Sequence, residues 1–184
     1  ISLGTNSLDH NTCGCKNIAL GRYAAQFNTN GSQNVAIGGD YTLRCNASGS
    51  ANIAIGSSAL KLGTCSLHNV VIGASAAESK MHACHTIAIG SQALRNQCGG
   101  FKNTAVGSYA LCNSGGSYNV AIGHKAVLNH YTGHENIAIG NYAGVCFCHG
   151  CNNTIIGHYD GTCYMCNTIA IKAGCNTLKV TGAG

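Results

Sequence analysis

The chain reads as an all-β protein, a parallel β-roll built from coils of about 17 residues. Two observations carry that reading. One pentad recurs along the whole length at nearly constant spacing. The residues between copies are Gly, Asn, Thr and Ser rather than helix formers. The pentad is clearest as Asn119-Val120-Ala121-Ile122-Gly123. Near copies occupy residues 17–21, 34–38, 52–56, 69–73, 86–90, 103–107, 136–140 and 153–157. A truncated copy, Ile1-Ser2-Leu3-Gly4, stands at the start, and a degenerate one, Thr168-Ile169-Ala170-Ile171-Lys172, near the end. Their closing residues are Gly4, Gly21, Gly38, Gly56, Gly73, Gly90, Gly107, Gly123, Gly140, Gly157 and Lys172, in steps of 17, 17, 18, 17, 17, 17, 16, 17, 17 and 15. A period this steady is the mark of a solenoid.

Within one period, the pentad's second to fourth residues form a short strand. Its second and fourth positions are large or β-branched, as in Ile53/Ile55 and Val120/Ile122, and its third is Ala in most copies. Alternation puts the large residues on one face and Ala on the other. Neither face is polar, so both should be covered. The large residues are expected to fill the coil, and the Ala face to invite close approach by another subunit. The closing Gly suits a turn with positive φ or no room for a Cβ. Short runs such as Ala59-Leu60, Ala93-Leu94 and Ala110-Leu111 follow and read as a returning strand, then a polar turn. Stacking at about 4.8 Å makes about eleven coils a rod roughly 50 Å long. The extra residue of the 18-residue step falls beside Gly38-Gly39 and is expected to bulge that turn without breaking the stack.

The leading Asn17, Asn34, Asn52, Asn69, Asn103, Asn119, Asn136 and Asn153 should stack as an amide ladder. The glycine column is structural: no GxGxxG or GxxxxGK[ST] pattern occurs. Only 8% of residues are charged and 45% are hydrophobic, which argues against disorder. The net charge is +5, but the ten Lys and Arg are scattered about one per coil, without the clustering that nucleic acid demands. No apolar run approaches the ~20 residues of a membrane span, so no membrane insertion is expected in this segment.

The chain has 13 Cys. Cys13, Cys15, Cys45, Cys65, Cys84, Cys98, Cys112, Cys146, Cys148, Cys151, Cys163 and Cys166 fall five to eleven residues after the preceding pentad; Cys175 does not. They gather on one side of the coil, where the coil spacing suits cross-coil disulfides. Such bridges would staple a thin rod and imply an oxidising setting. The rival reading is a tetrahedral metal site from Cys148, Cys151, Cys163 and Cys166, with free thiols as the third. Three histidines, His68, His85 and His134, form a partial column. The acids Asp9, Asp40, Glu78, Glu135 and Asp160 lie in different coils and make no catalytic pair. No GxSxG nucleophile elbow occurs, and neither catalysis nor a cofactor is expected.

Repeats reading N-x-A-I-G-x-x-A-L, joined by Asn/Thr/Gly turns, resemble the head repeats of trimeric autotransporter adhesins of the YadA type and related phage and giant-virus fibre repeats. The resemblance runs from Ile1 to about Ile171. It implies a left-handed roll, three chains packed about an axis, and surface attachment without chemistry. The longer turns and the many cysteines depart from bacterial heads and point to a fibre of another source, such as a virus particle. The expectation is a homotrimeric structural fibre or adhesin-like segment, extracellular, on a virion or cell surface, touching an unnamed receptor. The alternatives are a self-polymerising extracellular filament and a Cys/His metal-binding array. Residues 1–171 read as the roll domain; residues 172–184 read as a terminal coil or the start of a following module. Because the repeat is already running at Ile1, the sequence reads as a segment of a longer protein.

Overall fold

The computed structural model describes residues 1–79, 84–97 and 99–182. These residues form strands and turns, with no helix. The strands are β1 (Ser2–Leu3), β2 (Ile18–Leu20), β3 (Val35–Ile37), β4 (Ile53–Ile55), β5 (Val70–Ile72), β6 (Ile87–Ile89), β7 (Thr104–Val106), β8 (Asn113–Ser114), β9 (Val120–Ile122), β10 (Asn129–His130), β11 (Ile137–Ile139), β12 (Thr154–Ile156), β13 (Thr168–Ala173) and β14 (Asn176–Thr181). Twelve of them make one sheet in the order β1-β2-β3-β4-β5-β6-β7-β9-β11-β12-β13-β14. From β1 to β13 every pairing is parallel and places like on like: Ala19 beside Ala36, Ala36 beside Ala54, Ala105 beside Ala121. The result is a β-solenoid of about ten turns. Strands β8 and β10 form a second, two-stranded parallel sheet on the outer side.

The strand faces are the reverse of the sequence expectation. Ala19, Ala36, Ala54, Ala88, Ala105 and Ala121 are fully buried inside the coil, and the flanking Ile and Val look outward. The interior is too narrow for large residues on both walls. Its opposite wall is Ala24, Ala59, Ala76, Ala93, Ala110, Ala126 and Ala143, followed by Leu43, Leu60, Leu94, Leu111 and Val127. Two coils trade volume between the walls. Val71 stands where other strands have Ala, and Ala77 then replaces the Leu carried by the adjacent coils. Ile155 is the larger exception, and Gly144 occupies the Leu position: a Cβ there would stand 3.2 Å from Ile155 Cδ1.

The returning strand is also corrected. Ala59-Leu60 and its counterparts are a train of turns. Two residues per coil in this stretch have positive φ, among them Ser58 (57°) and Leu60 (50°), and even the β-branched Val127 (50°). Amides alternate in their use. Leu60 N–H donates to Ala76 of the next coil at 2.9 Å, while Ala59 N–H closes a local turn on Gly56 at 3.2 Å. The backbone is satisfied without an extended strand.

Polar columns pin the coils. Each ladder Asn carbonyl accepts the backbone N–H of the next pentad: Asn17 from Asn34, Asn34 from Asn52, Asn52 from Asn69, Asn69 from Thr86, and onward to Thr168, at 2.8–3.2 Å. The turn glycines let the coils approach. Gly107 has φ +134°, and a Cβ on it would meet the Gly123 carbonyl oxygen at 2.4 Å. At the far end, β13 runs through residues 171 and 172, turns at Gly174 and pairs antiparallel with β14, whose residues are all exposed.

The compensation between Val71 and Ala77 yields a test. Ala77→Leu alone should overpack the interior and lower unfolding free energy by about 1–3 kcal/mol. Adding Val71→Ala should restore most of it, as a double-mutant cycle in denaturant would show.

Candidate functional site

The outward residues of the strands build a continuous feature of the surface. Ile53, Ile87, Ile89, Ile122, Ile137, Ile139, Ile156, Ile169 and Ile171 are each 37–48% exposed. They stand in two rows beside Ile18/Leu20, Val35/Ile37 and Val70/Ile72, which are half-buried by their neighbours. From Ile18 to Ile171 no charged residue enters either row. At the coil spacing the strip is roughly 50 Å long. Contiguous apolar patches of this kind are commonly interfaces.

Several charges elsewhere are matched across a coil step. Arg22 and Asp40 form a bidentate pair across one coil step, which raises the guanidinium pKa and holds the carboxyl below its usual range. Glu78 accepts from Arg95 at 3.1 Å and lies 3.8 Å from Lys61. Arg44 lies over the rings of Phe27 and Tyr41.

The cysteines do not form the expected bridges. All twelve described ones are free: Cys13, Cys15, Cys45, Cys65, Cys84, Cys112, Cys146, Cys148, Cys151, Cys163, Cys166 and Cys175. Cys98 lies outside the described residues. Register is the reason. Most cysteines stack on something else: Cys13 precedes Asn30 in its column, Cys15 accompanies Ser32, and Cys65 meets the Ser48 hydroxyl at 3.3 Å. Two pairs do stack. Cys151 N–H donates to Cys166 Sγ at 3.3 Å, and the neighbouring Cys163 thiol pushes Cys148 up to about 11. The four sulfurs of the suggested metal site therefore sort into two separate columns. Among the described residues no three His, Cys, Asp or Glu side chains converge to hold a metal.

The histidine column is shorter than expected. His68 and His85 stack at 5.1 Å, both with positive φ. His134 belongs to the adjacent column, where its Nδ1 accepts from Ser117 N–H at 3.0 Å, and Glu135 takes the positive-φ position. A different histidine, His130, is fully buried, stacked on Phe147 at 5.0 Å. It extends an interior column that passes through Asn28, Asn46, Gln97 and Ser114. Sequence reading passed over it, although its place seven residues beyond Gly123 matches the place of Ser114 beyond Gly107. Burial drives its pKa down to about 4.

No protein-family model, curated protein or solved structure matches the chain.

His130 sets a pH dependence. Its folded pKa lies below the 6.5 of a free imidazole, so the unfolded chain binds the extra proton between pH 6.5 and about 4. The contribution is full above that window and is lost as pH falls through it, by up to roughly 3 kcal/mol. Denaturant midpoints at pH 7 and pH ~4 should therefore differ more for the parent than for His130→Gln, which keeps an amide in the column.

Proposed function

We propose that the chain is a non-catalytic fibre segment, a left-handed roll of which three copies pack into a rod that serves projection and attachment on a virion or cell surface. The observation that carries this reading is the uncharged Ile/Val strip. A partner that covers it must offer apolar groups at the same coil spacing for roughly 50 Å. A second copy of this chain has that spacing by construction, and a narrow strip on each of three rods suits a common axis. The interface is thus assigned to the large residues, not to the Ala face. The resemblance to adhesin heads points the same way, as does the separation of the five carboxylates into different coils.

The filament reading has less support. The edge of β13 is already paired with β14, so a further coil stacking there in parallel would have to displace it.

Replacing Ile89 and Ile122 with Asp tests the proposal. Both side chains are exposed in the single chain, so the fold should survive with its β-type circular dichroism intact. Sedimentation equilibrium should show a trimer for the parent and a monomer for the variant. A parent that stays monomeric at high concentration would sink the idea.

A further inference from the structure

The interior column that holds His130 changes character along the solenoid. Asn28, Gln97, Ser114 and His130 each stand seven residues past their turn glycine. In the coil of Asn28 the column satisfies itself. Asn28 Nδ2 donates to Asn11 Oδ1 at 2.8 Å and to Gly31 O at 2.9 Å, and Gly31 O also accepts from the ladder residue Asn17 at 2.8 Å. Asn46 repeats the arrangement on Asn28 and Gly49. Ser114 cannot. It ends at a hydroxyl where Asn28 carries a carboxamide. Gly116, which stacks on Gly133 as Gly31 does on Gly49, therefore receives Asn103 Nδ2 at 2.8 Å but no bond from the column residue.

The mismatch extends to the coils on either side. Ser114 and His130 are paired residues of β8 and β10, and Gln97 lies one coil step the other way. Gln97, Ser114 and His130 are 1%, 2% and 0% exposed. Yet Gln97 Nε2 and Oε1, Ser114 Oγ and His130 Nδ1 have no hydrogen-bond partner among the described residues. His130 Nε2 lies 3.4 Å from Gly150 O. With the ring proton on Nε2, Nδ1 presents a bare lone pair; in the other tautomer it would need an acceptor. Buried polar groups left unmet are costly, and here they adjoin one another in a single column.

We propose that Gln97, Ser114 and His130 form an internal binding site for water. A water has two donors and two acceptor positions. It can donate to His130 Nδ1 and Gly116 O while accepting from the Ser114 hydroxyl and Gln97 Nε2, and it serves either tautomer of the imidazole. Buried waters characteristically make about three such bonds. The difference in size between serine and asparagine supplies the room, since the carboxamide of Asn28 occupies more volume than one water. An ion is disfavoured. No three His, Cys, Asp or Glu side chains among the described residues converge there, and the groups that press electrostatically on His130 are the imidazoles of His134 and His149. The column lies inside one stack of coils, so the site does not depend on assembly of several chains.

A crystal structure of the parent chain and water ¹⁷O relaxation dispersion test the site together. The electron density should show a water within hydrogen-bonding distance of both Ser114 Oγ and His130 Nδ1. In solution, Ser114→Asn should lower the dispersion amplitude by the share of one long-lived water without lowering the thermal midpoint, because the new carboxamide takes the water's place as Asn28 does in its own coil. Ser57→Asn, on the surface, should leave the amplitude unchanged. The proposal is overturned by parent density in which Ser114 Oγ or His130 Nδ1 bonds directly to protein or touches no water. It is overturned equally by a folded Ser114→Asn chain whose dispersion amplitude equals the parent's. Should Ser114→Asn fail to fold, the density of the parent decides alone.

Discussion

Everything in this chain follows from stacking one coil on its own copy at the spacing of paired strands. At about 4.8 Å, the same position of each coil is a direct neighbour of the next. A residue type that tolerates its own image can fill a column; one that does not is excluded. Asn tolerates it well, because one amide's carbonyl accepts the next coil's N–H, as Asn136 does for Asn153 at 3.0 Å. Glycine is required where backbone meets backbone, as at Gly107 over Gly123. Opposite charges pair across coil steps, as in Lys61, Glu78 and Arg95.

The same constraint decides what lies inside. Two walls of a flattened coil leave room for Ala on one and for Ala with Leu on the other. Larger residues are admitted only when the facing position shrinks, as with Ile155 and Gly144. The large β-branched residues therefore go outward, and the rod acquires an apolar strip that its own fold cannot cover. In the proposed assembly, burial that a thin solenoid cannot achieve alone would be completed between chains.

The period, the all-β class and the outward course of the coil were legible because they rest on spacing alone. The sidedness of the strands was not. Alternation separates Ile53 and Ile55 from Ala54 but carries no sign; the sign is set by Ala59 and Leu60 across the coil. The returning stretch was misread because Leu and Val in a train of positive-φ turns run against their local preference, and the stacked neighbours override it. Most cysteine columns failed on register: Cys13 and Cys15 share a coil but lie in different columns, and Cys15 meets Ser32. The 16-residue step was plain in the sequence, whereas its result, one extra residue between the pairing of Ser114 with His130 and the stacking of Gly116 on Gly133, needs the coils in space.

The central claim is that the middle residue of each three-residue pentad strand, Ala in most, faces in and its larger neighbours face out, and that this outer face is the one proposed to meet other copies of the chain. Methyl-labelled NMR with a soluble paramagnetic probe measures this directly. In dissociated chains, the methyl signals of the strand Ile residues should broaden strongly and those of Ala54, Ala105 and Ala121 should not. In the assembled parent both sets should be protected. Ala methyl groups that broaden while the Ile methyl groups stay sharp in the dissociated chain would contradict the account.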